Sequence, residues 1–410
     1  MKIAIVSIVF PYPIDNGGGA ATFNMIDSLR HKHDITFICP NVKAENKQKL
    51  HELWPNVEIL TTDKNQGESR SLKLYKNVLK INKFLKGKVD DYFYPKTHLY
   101  INDLSKVYYP ELLKLVKDKV TSENFDLVQV EFIEFAGLVH ILPKDLKKIF
   151  IHHELRFKRL EMEYQTLNTK SLEDKWHIAA TKDLEIALLN HYDKVVTVTD
   201  TDNKFLAEAG IKKELLHTST LPINFKETDI NQPFQFKNNL VFLGPENHYP
   251  NLDGINWFLE ECWDKISQAH PNLTLQIVSK WTTEFQNLHK SRKNVEFLGF
   301  VEDLSTVFDG SIMIVPLRIV SGMRMKILEG ISWKMPIVST IEGAEGLPME
   351  DAENCMLASN SEEFIEKTIQ LIENNKLCSK LIDASQKLIT DQYQIEKCAK
   401  TRDALYNSFK

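Results

Sequence analysis

Apolar positions along the chain fall into two series of short runs, separated by stretches with helical spacing. In the N-terminal half the strand candidates are Ile3–Val9, Ile35–Cys39, Leu127–Val130, Ile149–His152 and Val195–Thr199. These runs are continuous rather than alternating, as in strands of a parallel sheet covered on both faces. Between them, Ala20–Arg30 carries Phe23, Met25, Ile26 and Leu29 as the inward face of a helix, and a long charged helical region runs from Phe157 to about His191. Near "LPINFKETDINQPFQFKNN" the pattern dissolves into polar, proline-containing sequence, the expected interdomain linker. A second series follows: Leu240–Leu243, Leu273–Val278, Val295–Leu298, Ile312–Val315 and Ile337–Thr340. Two consecutive α/β domains are predicted, with ligands beyond the carboxyl ends of the strands. The final "QYQIEKCAKTRDALYNSFK" reads as an amphipathic helix that the pattern assigns to neither domain.

Composition narrows this picture. A chain of 410 residues exceeds one ordinary core, which favours two domains of about 200 residues. Hydrophobic content of 43% and charged content of 26% describe a globular chain, and a net charge of -5 argues against a general nucleic-acid binder. Cys39, Cys262, Cys355, Cys378 and Cys398 are odd in number and lack any CxxC spacing, so reduced thiols in a cytoplasmic protein are expected, with no metal site. The opening "MKIAIVSIVF" imitates a signal peptide, but its apolar run is short and "PYP" follows it, which fits a first strand better. From Lys64 to Lys96 there are nine Lys or Arg against three acids. Leu74, Val78, Ile81 and Leu85 make a helical stripe there, with Lys73, Lys76, Lys80 and Lys83 on the other faces. The stretch reads either as a solvated helix or as a surface for peripheral contact with anionic membrane through 64–96.

Three places carry chemistry. "PYPIDNGGGAATF" follows the first strand, and Gly17, Gly18 and Gly19 open a helix with bare amides suited to a phosphate. It is not a dinucleotide fingerprint: the glycines come after a detour, and the second strand closes on Pro40 and Asn41 rather than an acid. "IFIHHELRF" sets His152 and His153 at a strand end, on opposite faces, so one of the two can meet a sugar hydroxyl. "IVSGMRMKILEGISWK" places a helix opening near Ser321 and Gly322, with Arg324 and Lys326 in a first turn that disfavours cations unless an anion joins them. Amides at Gly322 and Met323 with those two charges make a diphosphate socket. Glu329, two turns along, suits the paired hydroxyls of a ribose.

The segment "VEFLGFVEDLSTVFDGSIMIVPLRIVSGMRMKILEGISWKMPIVSTIEGAEGL" resembles the donor-binding core of the group 1 (family 4) retaining glycosyltransferases, in the branch with a G-S-G-x-R-x-K-x-L-E pattern. "LVFLGPENHYPNLDGINWFL" is similar to that branch's opening of the second domain, and the glycine loop, "VQVEF", "HHELRF" and "YDKVVTVTD" fit its first domain in order. The resemblance implies a GT-B fold, two Rossmann-like parallel-sheet domains facing a central cleft. It divides the chain into 1–222 (acceptor side), 237–385 (nucleotide-sugar side) and a helix, 386–410, crossing back to the first domain. It makes Glu329 the second glutamate of a Glu-x7-Glu motif, gives Arg324 and Lys326 the donor diphosphate, brings Phe300 and Val301 to the nucleobase and puts His153 near the transferred sugar. Gly18 and Gly19 face the diphosphate from the other domain.

Two departures stand out. Ser321 occupies the position of the first glutamate, so amides near Gly322 are left to hold the donor sugar. "GPENHYPN" offers no Arg or Lys, which leaves more phosphate charge to Arg324 and Lys326, with Lys280 as a further candidate. The expected activity is transfer of a sugar from a nucleoside-diphosphate sugar to a saccharide or lipid-linked acceptor, with retention, without metal or cofactor, in polysaccharide biosynthesis; the expected location is the cytoplasm, with peripheral contact at the inner face of the cytoplasmic membrane as a secondary reading. The rivals are a GT-B epimerase or phosphorylase, a catalytically inactive nucleotide-sugar binding protein, and an NAD-linked oxidoreductase.

Overall fold

The computed structural model describes residues 1–14, 17–62, 104, 109–166, 171–224 and 233–410. The basic stretch at 64–96 and positions 225–232 of the linker lie outside the described residues.

Seven parallel strands make the first sheet: β1 (Lys2–Val6), β2 (Asp34–Cys39), β3 (Glu58–Thr61), β4 (Leu127–Glu131), β5 (Lys147–His152), β6 (Lys194–Thr197) and β7 (Leu216–Thr218), ordered β3-β2-β1-β4-β5-β6-β7. Six parallel strands make the second: β8 (Asn239–Leu243), β9 (Thr274–Val278), β10 (Val295–Gly299), β11 (Ile312–Val315), β12 (Ile337–Thr340) and β13 (Met356–Ala358), ordered β10-β9-β8-β11-β12-β13. Both orders reverse beside their first strand, β1 against β4 and β8 against β11, which opens a crevice at the carboxyl ends there. Ile3, Ala4, Ile5 and Val6 are all buried because helices cover both faces of β1. β3, β7 and β13 are strands of three or four residues at the sheet edges, and the hydrophobic pattern missed them.

The helices that shape the cleft are α1 (Gly17–Leu29), α2 (Arg156–Thr166), α3 (Leu172–Leu189), α4 (Asp200–Glu208), α5 (Tyr249–Phe258), α6 (Met325–Ser332) and α7 (Ile395–Asn407). The single helical region expected from Phe157 to His191 is two helices, α3 starting anew at a capping box in which the Ser171 hydroxyl and Asp174 carboxylate accept each other's backbone amides. The helix preceding α7, Asn375–Tyr393, packs Cys378, Leu381 and Ile389 into the second domain. α7 then returns to the first: Cys398, Ala399, Leu405 and Tyr406 share a core with Ile3, Ile5, Leu127 and Ile151. Among the described residues no helix is long and apolar enough to cross a membrane.

Candidate active site

A cleft of about 940 Å³ lies where the carboxyl ends of the two sheets meet. Its walls combine the start of α1, the ends of β4 and β5, the loops after β8, β9 and β10, and the segment leading into α6. The domains touch closely at its base. A Cβ on Gly17 would stand 2.7 Å from that of Met325, so the glycine lets α1 approach α6.

Arg324 and Lys326 face this cleft from the second domain. The sequence pattern opened the helix near Ser321 and Gly322, but α6 begins at Met325 with Arg324 as its non-helical cap residue. The reason is Gly322: its φ of +72° turns the chain away from helix, and any side chain there would collide with the carbonyl oxygen of His153. Ile327, Leu328 and Ile331 then seat α6 in the core and aim the residues before them at the cleft.

Arg324 is 7% exposed, and its Nε and Nη1 have no hydrogen-bond partner among the described residues. Burial pulls the guanidinium down, against the carboxylates of Asp202, Glu345 and Glu154. Lys326 Nζ donates to Asn251 Oδ1 at 2.7 Å and sits 4.4 Å from the centre of the Phe242 ring. Burial and the neighbouring Arg324 lower the Lys326 pKa to about 7. A buried guanidinium lacking acceptors is costly unless a ligand supplies them. Asn251, missed in the sequence, reaches Lys326 because Gly244 has no side chain; a Cβ there would meet the Asn251 amide at 2.6 Å.

The two histidines part as strand alternation requires. His152 is buried against Glu185, Nε2 to Oε1 2.8 Å. The same carboxylate accepts the amides of Arg156 and Phe157, at 3.1 and 3.0 Å, and so ties down the start of α2. His153 lines the cleft, its ring stacked on Phe132 with centroids 4.1 Å apart.

Other expected residues are placed unequally. Gly18, Ser321, Met323, Glu329, Phe300 and Val301 line the cleft, Phe300 remaining 63% exposed. Gly19 is buried one step further along α1 and does not line it. Lys280 is exposed and outside the lining; Ser279 takes that place. Ser321 Oγ accepts the amide of Leu155 from the first domain at 2.6 Å, so it joins the domains as well as lining the site. Gly322 is likewise absent from the lining, its backbone set against the His153 carbonyl. Missed altogether were Arg156 and Arg159, paired in the cleft with Glu134 (2.7 Å) and Glu154 (2.6 Å). Burial would raise the Glu154 carboxyl, but Arg159, His248 and Arg156 hold it well below the usual range. Their signal was "ELRFKR", one acid and three cations directly after a buried strand. Among the described residues no group of three or more His, Cys, Asp or Glu is placed to hold a metal ion.

Two parallel-sheet α/β domains meeting across such a cleft define the GT-B fold of glycosyltransferases. Within it, residues 237–374 match the family described as glycosyl transferases group 1. Solved structures align over nearly the whole chain at low identity. Anabaena Alr3699/HepE in complex with UDP-glucose is 14% identical, with 99% of this chain and 100% of that one covered and a TM-score of 0.66. Sucrose-phosphate synthase from Thermosynechococcus elongatus is 12% identical, with 99% and 98% covered and a TM-score of 0.72. A point mutant of S. aureus TarM in complex with fondaparinux, alpha-GlcNAc-glycerol and UDP is 10% identical, with 99% of each chain covered and a TM-score of 0.68. Curated proteins yield no sequence match.

Proposed function

We propose that the chain is a nucleotide-sugar-dependent glycosyltransferase that moves a sugar from a nucleoside-diphosphate donor to a saccharide or lipid-linked acceptor, with retention and without a metal. The observation that carries this reading is the buried Arg324 guanidinium, whose Nε and Nη1 have no hydrogen-bond partner among the described residues, next to Lys326 in an interdomain cleft. The group 1 match over 237–374 supports it, as do the neighbours holding UDP, UDP-glucose or sugar ligands.

In this reading Arg324 and Lys326 take the diphosphate, Glu329 the ribose, and Phe300 and Val301 border the base. His153 then meets the donor sugar below the first domain. As the glycosidic bond to the diphosphate breaks, negative charge grows on the leaving oxygen, and two prepositioned cations in a low-dielectric pocket stabilise that charge more than they would in water. Gly17 and Gly18 bring α1 close to the same region without side-chain bulk.

The test is a panel of nucleoside-diphosphate sugars ranked by thermal shift, followed by incubation of the stabilising donors with saccharide and lipid-linked acceptors. Transfer with the donor's anomeric configuration in the product is the expected result. An epimerised donor, phosphate-dependent cleavage of a glycoside, or donor binding with neither transfer nor hydrolysis would overturn it in favour of an epimerase, a phosphorylase or an inactive binding protein respectively.

A further inference from the structure

We propose that Glu131, backed by Gln129, Tyr406 and Arg402, is a positioning residue that fixes the ring of His153 at the cleft, so that the returning helix α7 sets the geometry of the reacting end of the site. This rests on the placement of His153 near the donor sugar.

Strand alternation assembles the group. Leu127, Gln129 and Glu131 share one face of β4, while Ile149 and Ile151 of β5 share the same side of the sheet. Glu131 pairs in register with Ile151, so His153, two residues further on, emerges beside the Glu131 carboxylate. α7 lies across that face.

Polar side chains inside a central strand are costly unless paired, and these are paired in sequence. Gln129 and Glu131 are 1% and 4% exposed, Arg402 and Tyr406 1% and 0%. Tyr406 OH and Arg402 Nη1 donate to Gln129 Oε1 at 2.6 and 3.3 Å, Arg402 Nε donates to Ser219 Oγ at 3.1 Å, and Gln129 Nε2 donates to Glu131 Oε1 at 2.6 Å. Glu131 Oε2 is left over. It stands 3.7 Å from His153 Nε2, and neither atom has a hydrogen-bond partner among the described residues. Burial would raise the Glu131 carboxyl, but His153, Arg402 and Gln129 reverse this and keep it lowered.

Phe132 supplies the second constraint. It holds φ +66°, an uncommon conformation for a residue with a side chain, and its ring lies 11° from parallel to that of His153. Phe132 thus lies on the face of the imidazole and the Glu131 carboxylate stands on its Nε2 side, so that a small shift on donor binding would close the 3.7 Å gap to a hydrogen bond and leave Nδ1 for the cleft. In the neutral ring Nδ1 then accepts a hydrogen bond from a hydroxyl of the donor sugar. Simple anchoring of α7 would need only Gln129 and Ser219, not a charged group whose remaining oxygen lies against the cleft-lining His153.

Two readouts on the intact protein test this. Glu131→Gln, nearly isosteric, is expected to lower turnover roughly tenfold, the scale of a hydrogen bond with one charged partner, with donor KM little changed and the melting temperature recorded alongside. Tyr406→Phe is expected to lower it less, in the same sense. Adding Glu131→Gln to His153→Gln is expected to cost nothing further, because one acts through the other; multiplicative losses would overturn the proposal.

The second readout does not depend on turnover. In protein labelled with ¹⁵N-histidine, the His153 signals, identified by their loss in His153→Gln, are expected to show Nε2–H and a bare Nδ1, a preference lost in Glu131→Gln. An Nδ1–H ring in the wild type, or a tautomer indifferent to Glu131→Gln, would overturn it. Absence of any transfer or hydrolysis would instead count against the proposed function, and the tautomer would then decide the positioning question alone.

Discussion

Replacing Lys326 by Met tests whether the cleft is built around an anion. Burial and Arg324 bring the Lys326 pKa from its ordinary 10.5 to about 7, although the contacts with Asn251 and the Phe242 face favour the charged form. That gap corresponds to about 5 kcal/mol at roughly 1.4 kcal/mol per pH unit, the scale of the stabilisation a bound dianion can restore. A sugar-nucleotide diphosphate has charges that do not titrate near neutrality, so any proton exchanged on binding belongs to the protein. Above pH 7 the free Lys326 is mostly neutral and donor binding must draw in a proton. Donor affinity is therefore expected to fall about tenfold per pH unit above 7, until the pKa of the complex is reached, and to level off below it.

Titration calorimetry at pH 8 in phosphate and in Tris, whose ionisation heats differ, counts the protons. Uptake close to one per donor is expected for the wild type and none for Lys326→Met. A donor that binds the wild type at pH 8 without proton uptake refutes the reasoning. The donor-free protein runs the opposite way. The unfolded lysine titrates near 10.5 and the folded one near 7, so between these values the unfolded chain holds more protons, and this group's contribution to stability rises with pH across that window.

Arg324→Ala and Glu329→Ala should each weaken nucleoside-diphosphate binding by about tenfold, on the order of 1–3 kcal/mol per charged contact; unchanged affinity in both, by calorimetry, removes the diphosphate and ribose assignments. Glu185→Ala leaves the partners His152, Arg156 N–H and Phe157 N–H stranded in the core, and should cost roughly 3 kcal/mol or more in chemical denaturation. Gly322→Ala meets both the φ of +72° and the His153 carbonyl, so it should abolish turnover and lower the melting temperature. A fully active Gly322→Ala enzyme would mean that the approach of the two domains at this point is not needed for catalysis.

Much of the fold was legible because its central strands are buried on both faces and therefore write continuous apolar runs, as in Ile3–Val6 and Ile312–Val315. The edge strand Glu58–Thr61 has one neighbour in the sheet and a mixed burial pattern, so its sequence carries no such run. Arg324 and Lys326 were legible as cations out of place near a helix start. The turn at Gly322 was not legible for a tertiary reason: its φ of +72° is set against the His153 carbonyl, more than a hundred residues away in sequence. Glu131 could have been found sooner. Gln129 and Glu131 interrupt "LVQVEF", and polar residues at alternate positions of an otherwise apolar central strand signal partners that the strand itself cannot provide.

The return of α7 bears on how the molecule can be made. Tyr406 bonds to Gln129 across 277 positions and His33 to Asp403 across 370, so the first domain's core includes side chains that leave the ribosome only after the second domain. Such contact order delays completion of that core until the second domain has been translated, since the long loop must close before its contacts are gained. The first sheet emerges early and waits with Ile3, Ile5 and Leu127 uncovered on the face that α7 occupies. Cutting the chain in the linker would yield not two independent modules but one half lacking part of its interior and another carrying a helix with nowhere to dock.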